Sequence, residues 1–412
     1  MYNKENKNYN QALTILSTLF FIWGLITVLN FMLVEKFMII FSLTLQESYF
    51  LNITFFSAFL LLSYPSGKLI DKIGYKNGMV TGILIGAIGC LLFCPAAAYR
   101  SFEFLLIALF ILGSGITLLQ VSANPYVALL GPRGLGASKL TLVQAFNSLG
   151  TFLAPLLATG FFMKIADVTP DSLKTMTSED RILALISYVQ MPYLILGIAF
   201  ILLALLIGFS EMPVLNTSGF KPLIEETVPP RKNVLQVPHV WMGALAIFLY
   251  VGSEVAIGQY LLKKTEFDNS LSALVKFYWG AAMIGRFIGT FLLRFLSPRK
   301  SIAIFSASAV VFLIVYILFS DNNAALWALA LIGLSNSILF PSIFTMGIDG
   351  MGEKAEESSA FLNMAIVGGA ILPFLFFSIP GNIGFILPLA SYAFIIYYGL
   401  KGSKYVKRTN FY

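Results

Sequence analysis

The sequence has one histidine, two cysteines and, over 412 residues, only 11% charged side chains. A lone His239, with no cluster of Cys, His or Asp, leaves no ligand set for a metal centre. Cys90 and Cys94 stand four apart within one apolar run, so they share a helix face and serve packing, not the disulfide framework of a secreted domain. A Gly-rich phosphate loop and a Ser/His/Asp constellation are both missing, which removes the usual grounds for an enzyme or a bound cofactor. There is no block of one charge sign either. The 27 basic residues exceed the 20 acidic ones to give a net charge of +7, yet they are dispersed in short segments between apolar runs. That distribution argues against a nucleic-acid partner and for topology signals. The polar start, MYNKENKNYN, leads into a long apolar run without a small-residue cleavage site, so it reads as a cytoplasmic tail and not as a signal peptide.

What the chain does have is apolar surface. Hydrophobic residues make up 58% of it, including 38 phenylalanines, and the mean hydropathy of +0.83 is far from that of a soluble domain. About 20 apolar residues cross a bilayer core, and twelve runs of that kind are present: 12–34, 49–67, 78–98, 102–130, 141–163, 189–210, 240–262, 271–296, 301–320, 324–347, 359–380 and 383–400. The expectation is an all-α membrane protein with twelve transmembrane helices. If both termini face the cytoplasm, the cytoplasmic segments, with Arg294 at the end of span eight counted among them, hold 18 of the 27 Lys and Arg residues, the asymmetry of a positive-inside topology.

The longest polar, proline-containing stretch, 211–239, divides the chain into an N-terminal six-helix bundle (1–210) and a C-terminal one (240–412), with a cytoplasmic linker between them. Internal repetition supports a duplication. Gly150 and Pro155 in span five recur as Gly368 and Pro373 in span eleven, both at an offset of 218, and Gly67 after span two is echoed by Gly289 at an offset of 222. Two pseudo-symmetric six-span repeats of parallel sense are the plan of the major facilitator fold, whose substrate site lies at the midplane between the halves.

Polar residues inside the spans are the candidates for function, because the bilayer makes them costly and they turn to the bundle interior. In LLQVSANPYVALLG, residues 118–131, Gln120 and Asn124 lie four apart on one helical face, and Pro125 frees a backbone carbonyl; Ser122 suits packing. Gln144, Asn147 and Thr151 form a second stripe that faces either a cavity or a neighbouring helix, and Trp23, Thr27 and Asn30 a third. An indole beside amides suits a sugar, which offers an apolar ring face and hydroxyls. Glu254 and Arg286 are the strong charges near mid-span; the expectation is that they pair with each other or face water, as a structural ion pair or as a gate.

The loop GKLIDKIGYKNG, 67–78, resembles the facilitator signature between spans two and three, with Gly67 for close helix approach and Asp71 and Lys72 in a charge relay of the conformational cycle. Further stretches narrow the likeness: FFIWGLITVLN (20–30), SGITLLQVSANPYVALLGP (114–132), QAFNSLGTFLAP (144–155), VQMPY (189–193), FLYVGSEVAIGQYL (248–261) and FLNMAIVGGAILP (361–373). Over nearly the whole chain the sequence resembles the fucose/glucose/galactose proton symporter family of the major facilitator superfamily, and within it the bacterial glucose/galactose permeases. The resemblance implies uptake of a hexose by alternating access, proton-driven, by a monomer in the bacterial inner membrane. The candidate substrate residues among the polar positions inside the spans are Trp23, Asn30, Gln120, Asn124, Gln144, Asn147 and Glu254. One departure stands out: where the family pattern of span one continues Asn-Asp, this chain continues Asn30-Phe31, so the expected coupling carboxylate is missing. Glu35, one turn on, and Glu254, at mid-span, are the remaining candidates for proton coupling.

Overall fold

The computed structural model describes residues 2–132, 134–157, 176–213, 215, 234–267, 272–320 and 322–403, and every regular element among them is helical. Nine of these helices are long and apolar enough to cross a membrane. One of them, over 53–98, has 46 residues, about 70 Å at 1.5 Å per residue, roughly twice the hydrocarbon thickness. It is interrupted at Gly74, whose φ of 78° and ψ of 165° are not helical, and so supplies spans two and three. The helices Gly136–Leu157 and Ser272–Leu292 complete the set of twelve. The end of span five expected over 158–163 lies outside the described residues.

Helix ends follow local chemistry more than hydropathy. Thr44 and Glu47 form a reciprocal cap before span two: the Glu47 N–H donates to Thr44 Oγ1 at 3.2 Å and the Thr44 N–H to Glu47 Oε2 at 2.8 Å. These backbone and hydroxyl donors hold the exposed Glu47 carboxyl below its ordinary range. Span six begins at Ser178, eleven residues before the apolar run at 189, because Thr177 caps the polar first turn by accepting from the Asp180 N–H.

Span ten is not one helix. It comprises Leu326–Asn336 and Leu339–Ile348, with Ser337 and Ile338 between them. Pro341 has no N–H to give the carbonyl of Ser337 four residues earlier, and the helix opens there. In span eleven, Ala355–Met364 and Gly368–Ser378 are joined by the 3₁₀ turn Ala365–Val367.

The chain divides into two compact units, one made of Met1–Ala123 and Phe146–Pro213, the other of Asn124–Ala145 and Val214–Tyr412. Most of the expected 211–239 linker lies outside the described residues, and the stretch 124–145 groups with the second unit and not with the remainder of 1–210. Its contacts explain why. Ser138 Oγ donates to the Thr290 carbonyl at 2.6 Å, and Ala137 packs with Leu293 and Ile338.

The repeat read from sequence offsets has a physical counterpart inside each unit. In the first, a Cβ on Gly150 would overlap the carbonyl oxygen of Phe21; in the second, a Cβ on Gly368 would overlap that of Phe248. Spans one and five therefore cross backbone to backbone, and so do spans seven and eleven. Only a glycine at each crossing permits this, the small-residue packing that membrane helices rely on.

Candidate functional site

In the first unit, Trp23 is buried with its ring 5.1 Å from that of Phe20. Thr27 donates its hydroxyl to the Trp23 carbonyl at 3.0 Å, within its own helix. Asn147 Nδ2 donates to the Phe20 carbonyl at 3.0 Å, beside the Gly150 crossing, so one amide group of the second stripe ties span five to span one. Thr151 Oγ1 donates to the Asn147 carbonyl at 2.9 Å. Gln120 is buried, 4% exposed. Asn30, Phe31 and Glu35 fall within the helix of span one, but their side chains lie outside the described residues.

The stretch 67–78, expected as a loop after span two, is helical on either side of Gly74; Gly67 is buried there, and Asp71 and Lys72 are exposed. Lys76 in the same stretch reaches the carbonyls of Gly208 and Ser210, both at 2.8 Å, and so caps the end of span six with a cation. The sequence marked Lys76 only as a topology charge; a lysine's reach to a helix terminus 132 residues away leaves no local signature.

In the second unit, Asn124 is fully buried and its Nδ2 donates to Asn363 Oδ1 at 3.5 Å. The other ends of the two amides, Asn124 Oδ1 and Asn363 Nδ2, are buried without a hydrogen-bond partner. An acceptor and a donor left open side by side match a hydroxyl, which both gives and takes a hydrogen bond. Gln144 is likewise buried. Asn363 was not singled out in the sequence, although the 218-residue offset aligns it with Ala145, next to Gln144.

Glu254 and Arg286 pair as expected, with Glu254 Oε1 3.7 Å from Arg286 Nη2 and both side chains largely buried. Arg286 Nε also donates to the Ser337 carbonyl at 3.3 Å, the group that Pro341 leaves without a helical donor. Around the pair runs a buried network. Tyr392 donates to Asn336 Oδ1 at 2.7 Å, Asn336 Nδ2 donates to the Tyr278 hydroxyl at 3.1 Å, and Tyr278 donates to the Glu254 carbonyl at 2.9 Å. Spans seven, eight, ten and twelve are thereby linked at Glu254. His239, at the start of span seven, is 3.2 Å from the Asp349 carbonyl oxygen. Cys90 and Cys94 are both free thiols.

Twelve spans with repeated glycine crossings, and polar groups concentrated in mid-span around an interrupted helix, define a membrane-embedded secondary transporter. Comparison with known proteins makes this specific. The sequence pattern described as Major Facilitator Superfamily matches residues 15–397, and the chain belongs to that superfamily. It is 38% identical over 412 residues to a "Glucose/galactose transporter" of Brucella abortus biovar 1 (strain 9-941), covering 97% of this chain and 96% of that protein. It is 40% identical over 407 residues to a "Putative glucose/galactose transporter" of Helicobacter pylori (strain J99 / ATCC 700824), covering 95% and 97% respectively. Its structure is similar to the crystal structure of the E. coli Fucose:proton symporter, with a TM-score of 0.83 at 26% identity over 96% of this chain and all of that one. The chain is a multi-pass membrane transporter and not an enzyme.

Proposed function

We propose that the protein carries a hexose, glucose or galactose, across the bacterial inner membrane by alternating access, coupled to proton entry, as a monomer with both termini in the cytoplasm and no cofactor. The observation that carries the reading is the open donor and acceptor of the buried Asn124–Asn363 amide pair, a match for a neutral polyhydroxylated solute. Supporting it are relatives named glucose/galactose transporters at 38% and 40% identity. In this reading Gln120, Asn124, Gln144, Asn147, Asn30 and Trp23 contact the sugar, with Asn363 added to the set. Gly67, Asp71 and Lys72 serve the conformational cycle. The halves 1–210 and 240–412, joined by 211–239, act as the two repeats.

Glu254 is the proton acceptor, with Glu35 the other carboxylate open to that role. With Phe31 in place of the family's acidic residue, span one has lost its usual coupling group. Glu254 remains, a carboxylate near the middle of span seven beside the cation of Arg286. The same departure favours one second reading, an uncoupled facilitator or exporter of another small polar solute. Proteoliposome transport separates the two. A coupled hexose carrier accumulates labelled glucose or galactose when the outside is made acidic, and Glu254→Gln removes accumulation while sparing exchange of labelled for unlabelled sugar. Sugar exchange with no response to a pH gradient in the unaltered protein would favour the facilitator.

A further inference from the structure

Two of the contacts of Arg286 are with acceptors of unlike charge, and neither of these is short. Charge-assisted N–H···O⁻ bonds settle at about 2.7–2.9 Å, yet the guanidinium stands 3.7 Å from Glu254 Oε1 and 3.3 Å from the Ser337 carbonyl. The second acceptor exists because Pro341 withholds the N–H that would close the helix over Ser337. An interrupted span with a freed carbonyl is tolerated in a membrane only where protein or water satisfies that carbonyl. The groups facing Glu254 among the described residues are the Arg286 cation and the phenols of Tyr250 from its own span, Tyr278 from span eight and Tyr392 from span twelve. Tyr278 and Tyr392 are occupied by Asn336, immediately before the break, so the carboxylate and the broken segment are held in one frame.

We infer that Arg286 is a positioning residue that transmits the charge of Glu254 to the break in span ten, its guanidinium divided between the carboxylate and the Ser337 carbonyl. While Glu254 is ionised, the cation is drawn towards Oε1 and the break is loosely held. When Glu254 takes a proton, the attraction lapses, the guanidinium closes on the carbonyl, and the segment around Ser337 tightens. The inference rests on the proposed role of Glu254 as proton acceptor and adds the route by which that proton alters a helix.

Hydrogen exchange of the segment 334–345, measured in detergent without sugar and corrected for the intrinsic effect of pH, reads this directly. The expected result is exchange slowed about fivefold on going from alkaline to acidic conditions, as a coupling near 1 kcal/mol gives. In Glu254→Gln the exchange is slow throughout, and in Pro341→Ala, which returns an N–H to the Ser337 carbonyl, the pH response is lost. An identical pH response in the unaltered protein and in Glu254→Gln would overturn the inference, as would none in either. Because the readout involves no sugar, a failure of hexose transport would leave it intact, whereas proton-driven accumulation with pH-independent exchange would sink this inference alone. A purely structural Arg286 is separated by the pair Arg286→Gln and Arg286→Gln/Pro341→Ala. The second change is expected to restore thermal stability without restoring proton-driven accumulation, and recovery of both would reduce Arg286 to a helix plug.

Discussion

At the scale of single residues, the polar side chains inside the spans differ in how far the protein itself satisfies them. Asn147 donates from Nδ2 to the Phe20 carbonyl and so holds two spans together, besides its proposed contact with the sugar. Asn124 and Asn363 leave one group each unsatisfied, a cost of about 1–3 kcal/mol per group that a substrate hydroxyl would offset. Asn124→Ala and Gln120→Ala are therefore expected to lower sugar transport at least tenfold without preventing insertion, read by uptake normalised to protein in the membrane. Normal transport in both would remove these positions from the sugar site. Asn147→Ala is expected to cost about 0.6–1.7 kcal/mol as a lost interhelical hydrogen bond, seen as a lower melting temperature. The stripes were legible because helical spacing alone puts Gln120 and Asn124 on one face. Asn363, Asn336 and Tyr392 were not, since a single amide or phenol in an apolar run carries no local sign of what it meets across the bundle.

At the scale of elements, glycine and proline decide where helices cross and where they break. Gly150→Ala and Gly368→Ala push a methyl into a backbone carbonyl, and overpacking of this kind costs about 1–3 kcal/mol. Gly280→Ala, with nothing within 4 Å of the added Cβ, is the matched control. A thermal-shift comparison in which Gly280→Ala destabilises as much as the other two would contradict the close-crossing account. Gly74→Ala tests a different cause, since space there is open and only the φ of 78° opposes a side chain; a loss of about 1–2 kcal/mol is expected. Hydropathy located the spans well but not their ends. Span six starts at Ser178 because a threonine caps it, and span ten divides because Pro341 withholds one donor. Periodicity counts apolar residues, whereas these features depend on individual hydrogen bonds.

At the scale of the whole molecule, the twelve spans and the family membership were legible from composition, run length and recurring motifs. The grouping of 124–145 with the second unit was not, because it depends on contacts such as Ser138 with the Thr290 carbonyl, far apart in the chain. The central claim is that this chain recognises a hexose and exposes it alternately to either side of the membrane. Counterflow tests that claim most directly: labelled glucose or galactose is offered to proteoliposomes preloaded with unlabelled sugar. It needs only binding and alternating access, so the loss of a span-one carboxylate at Phe31 does not enter. The account predicts transient accumulation of label above the equilibrium level, abolished by excess unlabelled sugar outside. Label that never exceeds the level of empty liposomes, with the protein folded and inserted, would contradict it.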